Sequence, residues 1–77
     1  MGEQQLRKRF AQKIYERRHE CRMSQAELGT AAHISTDTIG KYERGTGMPT
    51  LKTVCAIAEA LACEPNDLFG WTEKEVA

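Results

Sequence analysis

The stretch Ser24–Gly45, SQAELGTAAHISTDTIGKYERG, decides how this chain folds. Ser24 with Glu27 three residues on is a capping box: the Ser hydroxyl accepts from the Glu27 N–H while the Glu carboxylate reaches back to the Ser24 N–H. A helix is therefore expected from Gln25, ending near Ala32, because His33 and Ile34 are followed by Ser35, a second N-cap candidate. The next helix is expected from Thr36 to about Arg44, with Ile39 and Tyr42 facing inward and Gly45 as the left-handed cap. Gly29, Ala31 and Ala32 are small where two short helices must cross closely, and Leu28, Ile34, Ile39 and Tyr42 anchor their angle. The second helix is then a rigid probe of a size that suits the major groove of B-DNA, roughly 12 Å wide.

Working outward, Leu6, Phe10, Ile14, Arg18 and Cys21 recur at spacings of three and four, which predicts a first helix over about Gln4 to Glu20 with one inward stripe and Arg18 as its charged exception. Downstream, Thr50 is expected to cap a fourth helix, Leu51 to Ala62, with Leu51, Val54, Cys55, Ala58 and Leu61 as its apolar face. Pro65 suits the first turn of a short fifth helix through Phe69, and Gly70 closes it before the tail TEKEVA. The expected architecture is all-α: a compact five-helix domain spanning 1–77, with its core in 6–69 and a C-terminal tail over 70–77.

At 77 residues the chain has room for one core, so each apolar residue is read first as packing. The balance of 40% hydrophobic and 29% charged residues is that of a folded domain. No apolar run approaches the roughly 18 residues needed to span a bilayer, and MGEQQLRKRF lacks a secretory core, so a cytoplasmic location and no membrane partner are expected. Cys21, Cys55 and Cys63 are odd in number and form no CxxC, which predicts neither a disulfide framework nor a zinc site but buried, reduced thiols. His19 and His33 do not form a metal pair, and Cys21, two residues from His19, is expected to point elsewhere, so no metal is expected. No Ser/His/Asp or paired-carboxylate arrangement is present, so neither catalysis nor a cofactor is expected.

Charge is distributed unevenly although its sum is zero. Through Lys52 ten basic residues stand against six acidic ones, a balance of +4, and from Thr53 onward one basic residue meets five acidic ones, a balance of −4. One part of the molecule can face phosphate while the other faces away.

The string RRHECRMSQAELGTAAHISTDTIGKYERGTGMPTLKTVCAIAEAL resembles the Cro and xenobiotic-response-element family of lambda-repressor-like domains, a likeness that runs from Arg17 to Phe69. SQAEL opens helix two, TIGKYERG closes helix three and MPTL opens helix four in the order and spacing of that family. The resemblance implies a helix-turn-helix at helices two and three, with helix three reading double-stranded DNA as part of a homodimer. Two positions depart from it: His33 stands where the family usually has Gly in the turn, and Gly29 where it more often has Ala. The first is expected to add about 1 kcal/mol of strain and the second to weaken helix two by roughly 1 kcal/mol.

By that resemblance Gln25 touches phosphate and braces the recognition helix, and Ser35, Thr36, Asp37, Gly40, Lys41 and Arg44 lie on its DNA side. Lys41 can donate to guanine O6 and N7, Thr36 can meet a thymine methyl, and Asp37 can accept from cytosine N4. Asp37 equally suits the positive end of a helix, and Ser35 equally suits an N-cap. Thr46 and Thr50 flank the loop before helix four, where N–H groups at a helix start attract phosphate, with Lys52 a weaker candidate. Arg18 and Glu43 match a pair with which the family joins helix one to the end of helix three, and a structural role is expected for both. Leu68, Phe69 and Trp71 are candidates for a dimer seam, with a lid over the core as the other reading of Leu68 and Phe69.

These residues predict a sequence-specific transcriptional regulator that places helix three in the major groove of a palindromic operator. The competing class is a protein-interaction adaptor or antitoxin using the same fold on a protein partner, which the zero net charge leaves open.

Overall fold

In the computed structural model, which describes residues 2–69, four α-helices and one 3-10 turn follow one another: α1 (Glu3–Glu20), α2 (Gln25–Ala32), α3 (Thr36–Glu43), α4 (Leu51–Ala60) and the turn Pro65–Leu68. The expected fifth α-helix is thus a single 3-10 turn. Its four residues, opened by Pro65 and held by the Glu64 N–H donating to Asp67 Oδ2 at 2.9 Å, are too few to begin an α-helical ladder. Gly70, Trp71 and the rest of the tail lie outside the described residues.

Each α-helix stops in the same way. The residue after the last turn takes left-handed backbone, and the next N–H returns to a carbonyl five residues back: Met23 to Arg18, Ile34 to Gly29, Thr46 to Lys41 and Cys63 to Ala58. Only one of the four left-handed sites is a glycine, Gly45 at φ 75°; the others are Arg22 (56°), His33 (59°) and Ala62 (54°). Each non-glycine site carries roughly 1 kcal/mol of strain that core burial must offset.

The core is built around Phe10, Ile14, Leu28, Ile39, Ile57 and Leu68, all without solvent exposure. Phe10 is its centre, edge-on to Tyr42 at 5.5 Å and stacked on Phe69 at 5.3 Å, arrangements each worth about 0.5–1.5 kcal/mol beyond area burial. Leu68 is therefore a core residue, and the dimer-seam reading does not hold for its side chain. Phe69 is half-buried against the same core.

Two expectations on packing are corrected. In α4 the buried face is Val54, Ile57, Ala58 and Leu61, while Leu51, at 77% exposure, and Cys55 face outward. Ile57 lies on the stripe at i, i+3, i+4 and i+7 from Val54, whereas Leu51 is the first residue of the helix and stays in solvent. The thiols are not buried: Cys21 and Cys55 are exposed and Cys63 is half-buried. Cys21 caps α1 at the surface, where its Sγ meets the Leu61 carbonyl at 3.7 Å.

Candidate nucleic-acid interface

The junction of α2 and α3 is specified at each step. The capping box at Ser24 is present in both directions, with the Glu27 N–H donating to Ser24 Oγ at 3.0 Å and the Ser24 N–H to Glu27 Oε1 at 2.9 Å. α2 ends at His33, and the Ile34 N–H donates to the Gly29 carbonyl at 2.7 Å. A Cβ on Gly29 would run into the main-chain oxygen of Ile34. The glycine is therefore required by the close return of the turn, and its helix-weakening effect is secondary. Ser35 then caps α3: its Oγ accepts from the Thr38 N–H at 3.1 Å and donates to Thr38 Oγ1 at 2.8 Å, so its hydroxyl is committed to the cap.

Thr36, Asp37, Lys41 and Arg44 are exposed, and positions 37, 41 and 44 fall at i, i+4 and i+7 along one side of α3. Lys41 Nζ stands 3.7 Å from Asp37 Oδ2, with side-chain exposures of 56% and 79%. Such an exposed pair is worth about 0.3–0.5 kcal/mol, so either member can exchange it for a polar ligand. Gly40, expected on the same open side, is buried. A Cβ there would lie 3.1 Å from Arg44 Nη1 and 3.8 Å from Gln25 Oε1, so the missing side chain lets those two close over the helix.

Behind that row α3 is tied to α1 and α2 by a polar cluster. Arg18 Nε donates to Glu43 Oε2 at 2.7 Å and Arg18 Nη2 to Glu43 Oε1 at 3.0 Å, a bidentate pair whose side chains are 10% and 8% exposed. The remaining nitrogen, Nη1, donates to the Met23 carbonyl at 2.9 Å, and the Tyr15 ring lies 5.7 Å from the guanidinium carbon. The Arg18 pKa is raised, chiefly by its hydrogen bond to Glu43, against the lowering effect of burial. Gln25 Nε2 adds a bond to Glu43 Oε1 at 3.2 Å, so one carboxylate fastens the end of α3 to both preceding helices. The apolar stripe of α1 singles out Arg18 and the family resemblance adds Glu43 and Gln25, but the Met23 carbonyl and the ring of Tyr15 carry no motif.

Thr46 and Thr50 serve the backbone. Thr46 Oγ1 donates to the Lys41 carbonyl at 3.1 Å, and Thr50 Oγ1 accepts from the Thr53 N–H at 3.2 Å at the start of α4. Leu68 stands apart from this surface in the core, and Trp71 is outside the described residues. Among the described residues no group of three or more His, Cys, Asp or Glu side chains is placed to hold a metal ion, and no helix is long and apolar enough to cross a membrane.

Comparison with known proteins agrees with this geometry. Residues 14–68 match the family described as Helix-turn-helix. The chain is 34% identical over 67 residues to the HTH-type transcriptional regulator DicA of Escherichia coli (strain K12), covering 86% of this chain and 50% of that protein. It is 29% identical over 68 residues to the cryptic phage CTXphi transcriptional repressor RstR of Vibrio cholerae, covering 87% and 61%. The chain thus spans about half to three fifths of the curated relatives it matches. Among solved structures, the restriction-modification controller protein C.AhdI from Aeromonas hydrophila superposes with a TM-score of 0.79 at 30% identity, over 82% of this chain and 96% of that one. The P22 c2 repressor in complex with a synthetic operator superposes with a TM-score of 0.74 at 30% identity, over 78% and 91%. With the match covering both short helices, the bracing cluster and most of the core, the chain belongs to the helix-turn-helix family, of the lambda-repressor-like kind that its sequence resembles.

Proposed function

We propose that the chain is a sequence-specific DNA-binding transcriptional regulator in which α2 and α3 form the helix-turn-helix and α3 enters the major groove. The observation that carries this reading is the exposed row Thr36, Asp37, Lys41 and Arg44 on a helix locked from behind by Arg18, Glu43 and Gln25. A probe held by a buried bidentate pair loses little freedom on docking, so binding energy goes into contacts with the groove. Lys41 exchanges Asp37 for guanine O6 and N7, Thr36 meets a neighbouring base, and Arg44 with the N–H groups at Thr50 meets phosphates. The relatives named as transcriptional regulators and the P22 c2 repressor on its operator support the same assignment.

One eight-residue helix spans only a few base pairs. A homodimer on a palindrome, with half-sites about 10–10.5 bp apart or a multiple of that, gives a usable site. The region 1–77 then acts as one domain, with its core in 6–69, in the cytoplasm where the DNA is. The test is selection of bound sequences from a random duplex library, repeated with Lys41→Ala. A palindrome whose preference relaxes at one position in the variant is the expected result. Absence of duplex binding even at low salt, together with tight capture of a protein, would replace this reading with the adaptor.

A further inference from the structure

The first turns of α1 lie upstream of residues 14–68, so the family match says nothing about them. They carry Arg7 and Lys8, and the fold brings both to the C-terminal end of α3. Gln4, Arg7 and Lys8 line an open cleft of about 340 Å³ together with Arg44 and Gly45. Three cationic side chains thus converge where the exposed row of α3 ends. Among the described residues the one acid engaging any of them is Glu3, whose Oε1 accepts from Arg7 Nη2 at 2.8 Å. Among the described residues Lys8 and Arg44 take part in no ion pair, and Arg7 Nε is shielded from solvent without a hydrogen-bond partner. Like charges brought together this way repel unless an anion joins them.

We infer that this cleft binds a backbone phosphate of the DNA on which α3 docks, a contact that extends the interface beyond the helix-turn-helix onto α1. The inference rests on the proposed DNA-binding function and adds a site to it. Arg44 belongs to both surfaces: it is three residues beyond Lys41 on the exposed side of α3 and it forms one wall of the cleft. In B-DNA the phosphates border the groove, so a cationic cleft at the end of an inserted helix meets one of them when the helix is seated. Glu3 holds the Arg7 guanidinium from the side, which orients it without neutralising Lys8 or Arg44.

The experiment measures affinity of the full chain for its selected duplex over a range of salt, for the parent and for the Arg7→Gln/Lys8→Gln variant. Each lost phosphate contact lowers the slope of log Kobs against log salt by about 0.9, so a dimer with two clefts should lose about 2 in slope. Because the contact carries no base information, the ranking of operator variants should stay unchanged while all weaken together. Ethylation interference should lose one phosphate in each half-site in the variant. An unchanged slope with unchanged interference would overturn the cleft assignment while leaving α3 as the reader of DNA. A parent chain that binds no duplex would instead overturn the proposed function itself. Lys8→Glu is the companion variant: at an exposed position it leaves the melting temperature in place, and it should depress binding further than Lys8→Gln.

Discussion

Gly29→Ala sets helix propensity against packing, because the two predict opposite signs. Ala is favoured over Gly in a helix interior by about 1 kcal/mol, so α2 taken alone would gain. In the folded chain a Cβ at position 29 points into the main-chain oxygen of Ile34, closer than Cβ atoms approach other atoms. That oxygen belongs to turn backbone, which has no rotamer through which to yield. Overpacking costs typically 1–3 kcal/mol; against rigid backbone the upper end applies, and the net expectation is a loss of about 2 kcal/mol, or roughly 8–16 °C in Tm for a domain of this size. His33→Gly should act the other way. His33 sits at φ 59° and ψ 43°, and removing the side chain should stabilise by about 1 kcal/mol. The two sites are coupled because His33 sets the direction in which Ile34 presents its carbonyl. In the His33→Gly background the turn can swing that oxygen aside, and Gly29→Ala should then cost less than in the parent by about 0.5 kcal/mol or more. Thermal melts of the four proteins followed by circular dichroism give the whole cycle. A Gly29→Ala variant as stable as the parent would refute the close-return explanation and restore simple propensity as the governing effect.

Glu43→Ala strands Arg18 in a pocket where its side chain is only 10% exposed, and should lower stability by about 3–5 kcal/mol; an unchanged Tm would show that the bidentate pair is incidental. Gly40→Ala meets only the mobile end of Arg44, at 3.1 Å, so Tm should rise by several degrees while duplex affinity falls as Arg44 is displaced, to be read by melting and by titration of the selected duplex. Burial is the main cause that raises the Cys63 thiol pKa, so iodoacetamide should modify exposed Cys21 and Cys55 first and Cys63 last, as read by mass spectrometry. The same upward shift sets a sign for pH: the folded state holds the Cys63 proton more tightly than the unfolded chain does. Its contribution is complete below the ordinary thiol range and is lost as pH climbs from there through the raised value of the folded state. Cys63→Ala should therefore show a shallower alkaline loss of stability than the parent.

How much of this was legible in the residues depends on how local the deciding interaction is. Capping is local, and Ser24, Ser35 and Thr50 cap the helices their spacing predicted. The pairing of Arg18 with Glu43 was visible only through family resemblance, since 25 positions separate them and only a charged residue on an apolar stripe hinted at it. Where two faces of one helix compete, periodicity alone did not choose. In α4 Leu51 and Cys55 keep helical spacing with Val54, Ala58 and Leu61 as Ile57 does, and the core takes Ile57 while Leu51 and Cys55 stay outside. Gly40 and Gly29 show the limit most clearly. A glycine in a helix reads as a weak point, and what it makes room for is an atom distant in the pattern: the Arg44 guanidinium over one, the Ile34 carbonyl against the other. α3 owes its exposed row to those two absences as much as to the charges it displays. A Cβ at Gly29 would push α3 off its seat, and one at Gly40 would displace the Arg44 guanidinium, so the surface proposed to face DNA is set by side chains the sequence leaves out.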